Sequence, residues 1–148
     1  MRKIFTIGFT KMTAEEFFTC LEINRVKKIV DVRLYNKSQL LGFTKFPDIE
    51  FFLRSISKID YFHDLQFAPS ERILDAYKKK FINWEEYEEA FAALMKARDI
   101  DNYILKNYAR EENFCLLCTE ASPENCHRRL VAEKIRDVLG DVEIIRHL

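Results

Sequence analysis

The segment from Asn113 to Arg129 joins a short apolar run to a polar turn that carries thiol, imidazole and guanidinium groups. Phe114 to Cys118 is apolar and contains no helix breaker, which is typical of a strand buried on both faces. Ser122-Pro123 then supplies an N-cap residue and a proline suited to the first position of a helix. The segment therefore predicts a strand, a turn and a helix, the arrangement in which open α/β sheets form their binding sites.

Side chains alternate between the two faces of a strand, and this alternation sorts the candidate site residues. Cys118 and Glu120 share one face, whereas Cys115 lies on the other. In the predicted helix, His127 is followed at helical spacing by the apolar residues Val131, Ile135 and Val138. We therefore expect His127 to face the sheet and to lie near Cys118.

The amino-terminal part of the chain has the order strand, helix, strand. Lys3 to Gly8 alternates apolar residues and ends in glycine, Thr13 to Glu16 forms a capping box, and Lys28 to Arg33 is a second strand. Such a unit of about thirty residues joins parallel strands. Gly8 and Arg33 are therefore predicted at one edge of the sheet, and Arg33 shares a strand face with Asp31.

The rest of the chain is predicted to be mostly helical, with two short strands. The predicted helix starts are Asp48, Ser70, Asn83 and a point after Asp99, the predicted short strands are Ile59–Phe62 and Val142–Ile145, and the last helix covers Pro123–Leu139 before Gly140. Together the elements predict one α/β domain over residues 1–148. Its three layers are a mainly parallel sheet and the helices that flank it, with additional helices inserted in the middle.

Length and charge restrict the class of protein. A chain of 148 residues suits one domain that folds without disulfides. Its 24 basic and 24 acidic side chains balance, so binding to nucleic acid or to an anionic membrane would need a local patch. No segment has the pattern of a signal peptide or the length of a membrane span. We therefore expect a cytoplasmic protein without membrane contact, whose four cysteines are reduced.

Short motifs follow one another in a fixed order along nearly the whole chain. They are Thr6-Ile7-Gly8, Asp31-Val32-Arg33 with Ser38 and Phe43 after it, Tyr61-x-His63, and Leu117-Cys118-Thr119-Glu120 followed by Pro123 and Cys126-His127-Arg128. Each motif is weak alone, but the set is specific. In this order it resembles the family catalogued as domain of unknown function 488. The resemblance implies the fold and the position of the site rather than a reaction.

Two positions depart from the pattern of that family. Phe9-Thr10 stands where the family commonly has His-Ser, and Leu65-Gln66 stands where it commonly has Leu-Gly. If the first histidine of the family takes part in chemistry, this chain lacks it.

Metal binding is one interpretation of the thiols. Cys115-x-x-Cys118 followed by Cys126-His127 supplies four ligands of the kind that zinc prefers. Cys115 and Cys118 are an odd number of residues apart in a strand, so their side chains diverge, and the resemblance includes only Cys118. We therefore predict no bound metal or cofactor, with a looser site of Cys118, Cys126 and His127 as the alternative.

A nucleophilic cysteine is the second interpretation. A thiol near a helix N-terminus, with arginine and histidine close by, is favoured as the thiolate. Cys126 is the better placed for the helix dipole, and Cys118 is the better placed for the pocket. The alternative is that both are small buried apolar residues, the usual role of cysteine.

The other polar candidates also have two interpretations each. Glu120 and Asp31 either perform acid–base chemistry or form ion pairs with Arg33 or Arg128. His127 is either a catalyst or a buried histidine with satisfied hydrogen bonds. Two sequence features have simpler explanations: Lys78-Lys79-Lys80 suits a solvated helix face, and the aromatic residues around Trp84 and Phe91 suit the core or a partner-facing surface.

The candidate site therefore lies at the carboxyl ends of the strands. The predicted catalytic residues are Cys118, Glu120 and His127, and the predicted ligand-binding residues are Gly8, Asp31, Arg33, Cys126 and Arg128. Three functions fit: a small enzyme acting on an anionic ligand such as a nucleotide or a nucleic-acid end, a non-catalytic ligand-binding or interaction module, and a metal-binding domain. The enzyme would bind its anion at the start of the helix after Cys118, with help from Arg128.

Overall fold

The computed structural model describes residues 2–37, 42–120 and 122–148 and confirms the three-layer α/β fold. Its elements are β1 (Arg2–Gly8), α1 (Ala14–Ile23), β2 (Lys28–Asp31), α2 (Asp48–Phe52), β3 (Asp60–His63), α3 (Glu71–Lys78), α4 (Trp84–Ala97), α5 (Ile100–Tyr108), β4 (Phe114–Cys118), α6 (His127–Leu139) and β5 (Val142–His147). Short 3₁₀ turns lie at Gly42–Thr44 and Leu65–Phe67, and a π-helical turn, Leu53–Ser57, extends α2. Ser38 of the family motifs lies outside the described residues. Within those ranges, no helix has both the length and the apolar composition of a membrane span.

The described strands form one parallel sheet in the order β3-β2-β4-β1-β5. Strand β4 lies between β1 and β2, with Cys118 opposite Gly8 and Leu117 opposite Asp31. The carboxyl ends of these three strands therefore meet at one edge, as the order of elements predicted. The two amino-terminal strands are parallel but are not neighbours.

The two faces of β4 belong to two different cores. Phe114, Leu116 and Cys118 pack with apolar residues of α4, α5 and α6. Cys115 and Leu117 pack with apolar residues of α1 and α2 on the other face. This division confirms the predicted alternation and explains why the side chains of Cys115 and Cys118 diverge.

Capping side chains start three of the helices where the sequence predicted them. Thr13 accepts a hydrogen bond from the Glu16 N–H, and Ser70 accepts one from Ile73. Asn83 and Glu86 form a reciprocal capping box at the start of α4. Such caps each stabilise a helix by about 1 kcal/mol.

Two predicted helix starts are displaced in the structure. Asp48 is the first residue of α2 rather than its cap, and Pro47 precedes it. The last helix begins at His127 and not at Pro123, because residues 123–126 form a turn in which the Cys126 N–H donates to the Pro123 carbonyl at 3.3 Å. Cys126 then takes an extended conformation as the N-cap residue.

Candidate functional site

Cys118 and His127 face each other at the carboxyl end of β4. The Cys118 Sγ lies 3.8 Å from His127 Nδ1, and His127 Nε2 lies 2.7 Å from the backbone carbonyl oxygen of Val32. Because a carbonyl oxygen only accepts hydrogen bonds, Nε2 is assigned a proton, and Nδ1 is the ring nitrogen that faces the thiol. The pair is therefore oriented for transfer of the Cys118 proton to His127.

Cys126 completes a cluster of three donor atoms. The Sγ atoms of Cys118 and Cys126 and a ring nitrogen of His127 all lie within 4.8 Å of one another, and all three residues are buried. We call these residues the thiol–imidazole cluster. The predicted looser metal site therefore has its three donors together. The fourth candidate ligand, Cys115, lies in the core on the other face of the sheet.

The two thiols of the cluster differ in acidity. The Cys126 thiol, as a donor toward Cys118, lowers the pKa of Cys118 below its ordinary value, against the effect of burial. The Thr119 N–H and the Arg128 charge lower the pKa of Cys118 further. The same contact raises the pKa of Cys126 well above its ordinary value. Cys118 is therefore the thiol that ionises first.

A cavity of about 1090 Å³ opens in front of the cluster. Its lining includes Cys118, Thr119, Cys126 and His127, together with residues of α3, of α4 and of the segment between them. Its aromatic lining residues are Tyr35, Tyr77, Phe81, Trp84 and Tyr87, and its basic lining residues are Arg33, Lys78 and Lys80. Glu120 also lines the cavity and is exposed to solvent. The cavity thus combines a thiol and an imidazole with aromatic surface and basic side chains.

Asp31 forms an ion pair with Arg33. Asp31 is fully buried, and its carboxylate accepts from Arg33 Nε at 2.9 Å and from Nη2 at 2.8 Å. The Tyr61 hydroxyl donates to the same carboxylate at 2.5 Å. Asp31 therefore forms the ion pair that was one of its two predicted interpretations, and its buried carboxylate is not exposed to a ligand. Arg33, which this pair fixes in position, does line the cavity.

The Tyr61-x-His63 motif supports this ion pair from β3. Tyr61 contacts the Asp31 carboxylate, and His63 Nε2 lies 2.7 Å from the Arg33 carbonyl oxygen. Burial and the Asp31 charge raise the pKa of Tyr61, so its hydroxyl stays protonated and donates. The motif thus positions Arg33 at the cavity rather than contributing a reacting group.

Arg128 and Gly8 hold the turn after β4 and do not line the cavity. Arg128 is fully buried, and its guanidinium donates to Thr6 Oγ1 at 3.3 Å and to the Glu120 carbonyl oxygen. A Cβ on Gly8 would lie 1.5 Å from that same carbonyl oxygen. Neither residue is part of the cavity lining, and their ligand-binding role stays a prediction.

Several residues that line the cavity were not predicted as site residues. The aromatic residues of α3 and α4 were assigned to the core or to a partner-facing surface, and Lys78 and Lys80 were assigned to a solvated face. In the sequence, Tyr77, Phe81, Trp84 and Tyr87 lie close together, with Lys78 and Lys80 among them. In the structure they come from α3, from the segment after it and from α4, so no single helical period marks them as one surface.

One family model matches residues 13–135, which is most of the chain, and its description is domain of unknown function DUF488. The chain belongs to this family. The match includes the Asp31–Arg33 pair, the Tyr61-x-His63 motif and the turn that carries the thiol–imidazole cluster, whereas Thr6-Ile7-Gly8 precedes it. No curated protein and no solved structure matches this DUF488 protein.

In this DUF488 protein, Phe9-Thr10 has a definite structural role. The Phe9 ring is buried, and the Arg33 guanidinium lies 5.1 Å from its centroid, a cation–π geometry. The Thr10 hydroxyl donates to the Thr119 carbonyl oxygen at 2.5 Å. Phe9 therefore packs its ring against Arg33, and Thr10 ties the end of β1 to the turn after β4.

Proposed function

We propose that this protein is an enzyme that uses Cys118 as a nucleophile on a small anionic ligand held in the cavity. The observation that carries the proposal is the oriented pair of Cys118 Sγ and His127 Nδ1, 3.8 Å apart, at the wall of a cavity of about 1090 Å³. A thiol beside a fixed imidazole is the arrangement that activates cysteine nucleophiles. The lowered pKa of Cys118 supports the same role.

The residues suggest a simple reaction sequence. Cys118 transfers its proton to His127 Nδ1, and the thiolate forms a bond to an electrophilic atom of the ligand. The leaving group departs with the proton from His127. Water then cleaves the covalent intermediate and restores the thiol, with His127 accepting and returning a proton. Glu120, exposed at the cavity, is a second group that could exchange protons with the ligand.

Positive charge for the anion would come mainly from the exposed Lys78 and Lys80, which line the cavity. Arg33 also lines it, although its side chain is 4% exposed and already paired with Asp31. The start of α6 adds to this positive charge, because the N-cap residue Cys126 lines the cavity and makes no side-chain capping hydrogen bond. Backbone N–H groups at an uncapped helix start attract anions. Because α6 begins at His127, we expect the anion at Cys126 rather than at Ser122. The arginine that lines the cavity is Arg33 rather than Arg128.

Turnover and trapping with activated esters test this proposal. We expect p-nitrophenyl phosphate or p-nitrophenyl acetate to form an adduct on Cys118, detected by mass spectrometry, and Cys118→Ala to abolish turnover. The matched control is Cys115→Ala, which removes a thiol of the same strand that faces the other core. Turnover that survives in Cys118→Ala would contradict the proposal. Ligand binding without turnover by the unaltered protein would instead favour a non-catalytic binding module.

A metal site on the thiol–imidazole cluster is the second candidate. Its three donor atoms lie within 4.8 Å of one another, and His127 donates its other N–H to a backbone carbonyl, as metal-bound histidines usually do. The cavity side would leave a fourth position for water or substrate. Metal analysis of protein purified without chelator separates the candidates, because about one zinc per chain would select the metal site over a free nucleophile.

We also propose that the protein is located in the cytoplasm.

A further inference from the structure

Part of the cavity lining is an aromatic wall formed by Tyr77, Trp84 and Tyr87. The Trp84 and Tyr87 rings stack with centroids 4.9 Å apart and an angle of 15° between their planes. Tyr77 packs against both, at 5.7 Å from Trp84 and 5.2 Å from Tyr87. Tyr87 is buried, whereas Tyr77 and Trp84 are half-buried and line the cavity. The wall thus offers ring surface to a ligand.

Two more aromatic residues extend this surface toward solvent. Phe81 is 76% exposed and Tyr35 is 53% exposed, and both line the cavity. Exposed aromatic residues that cluster around one cavity are a mark of ligand contact, whereas isolated ones need no explanation. The surface suits a planar ring, because aromatic side chains bind such rings by stacking.

Basic groups also line the cavity. Lys78 and Lys80 lie at and just after the end of α3 and are exposed, and in the described part of the chain neither forms a salt bridge. Arg33 lines the cavity close enough to Cys118 for the two charges to interact. Tyr87 of the wall packs in the same core as Cys118 and Cys126.

We propose that the cavity binds a nucleoside monophosphate. The base stacks on the aromatic wall, and the phosphate lies toward Arg33 and Cys118, with Lys78 and Lys80 adding positive charge at the mouth. A cavity of about 1090 Å³ accommodates a ligand of this size. This inference rests on the proposed function for the reacting end of the ligand, whereas the ring site stands on the aromatic residues alone.

Fluorescence titration provides a direct test, because Trp84 is the one tryptophan of the chain. Adenosine and guanosine monophosphate should quench its emission in a saturable way. Adenosine, which lacks the phosphate, and ribose 5-phosphate, which lacks the base, should each bind at least about tenfold more weakly. Equal affinity for ribose 5-phosphate and the nucleotides would show that the wall holds no base, and an absence of nucleotide binding would overturn the inference.

Matched variants separate the ring site from the phosphate site, with binding measured by calorimetry. Trp84→Leu should weaken nucleotide binding about tenfold or more, as the loss of a stacked base predicts. Phe51→Leu is its control, because Phe51 is a 57% exposed aromatic residue away from this cavity. Lys80→Ala should weaken binding, whereas Lys79→Ala should not, since Lys79 does not line the cavity. Loss of thermal stability in Trp84→Leu with unchanged affinity would contradict the ring site.

Cys118→Ala distinguishes this inference from the proposed function. It should still bind the nucleotide while it loses turnover. If the nucleotides bind but turnover never depends on Cys118, the nucleophile is wrong and the ligand class is right. If turnover depends on Cys118 but substrates without an aromatic base are equally good, the ligand class is wrong and the nucleophile is right.

Discussion

The imidazole of His127 is fixed to the backbone of Val32, with Nε2 2.7 Å from the carbonyl oxygen of a residue 95 positions earlier in the chain. This contact joins the end of β2 to the start of α6 and assigns the tautomer that faces Cys118. The Cys118 thiol at the end of one strand thus faces an imidazole that the neighbouring strand fixes in position, so this arrangement depends on the sheet order.

Removing the Cys126 thiol should make Cys118 less acidic. The Cys126 donor is the largest cause of the lowered pKa of Cys118, so Cys126→Ala should raise that pKa. Because only the thiolate is alkylated rapidly, the midpoint of Cys118 alkylation by iodoacetamide should move to higher pH. Cys126→Ser, which keeps a hydroxyl donor, should shift the midpoint less. An unchanged midpoint in Cys126→Ala would show that the Cys126 thiol does not lower the pKa of Cys118.

Gly8→Ala should destabilise the protein. The added Cβ would lie 1.5 Å from the Glu120 carbonyl oxygen and 2.8 Å from Arg128 Nη1, so the turn after β4 must move. We expect a loss of about 1–3 kcal/mol or more in the free energy of unfolding, measured by urea denaturation. Gly42→Ala is the matched control, because among the described residues a Cβ there meets no atom within 4 Å. Equal stability of the two variants would show that the turn adapts without cost.

Asp31→Asn should also be strongly destabilising. It leaves the Arg33 charge buried without its carboxylate partner, and both side chains are at most 4% exposed. Breaking such a buried pair costs about 3–5 kcal/mol. The control is Glu112→Gln, which breaks the exposed pair with Lys27 and should cost less than about 1 kcal/mol. If urea denaturation gives similar losses for both, the Asp31–Arg33 pair does not organise this edge of the sheet.

The sequence predicted most of the elements because their signals are local. Thr13, Ser70 and Asn83 cap helices through side chains that reach only three residues ahead, and the alternation in β4 assigns Cys115 and Cys118 to opposite cores. The sequence also predicted that Asp31 and Arg33 lie near the turn after β4, because parallel strands bring their carboxyl ends to one edge of the sheet.

The direction of Arg128 and the start of α6 depended on contacts distant in sequence. Adjacent helical residues point about 100° apart, so once His127 faces Val32 of β2, Arg128 is turned toward Thr6 of β1. The direction of Arg128 depends on β4 lying between β1 and β2, which local spacing does not specify. The sequence did not predict the aromatic wall for a similar reason, because its residues come from α3 and α4 and local spacing does not show how the two helices pack.

Alkylation rates of the individual cysteines test the central claim most directly. In the unaltered protein, iodoacetamide labelling followed by mass spectrometry between about pH 5 and about pH 9 compares Cys118 with Cys20, whose pKa burial raises. We predict that Cys118 reacts faster than Cys20 at neutral pH and with a lower midpoint, because its pKa is lowered whereas that of Cys20 is raised. A midpoint for Cys118 at or above that of Cys20, or labelling of Cys20 before Cys118 throughout, would contradict this claim.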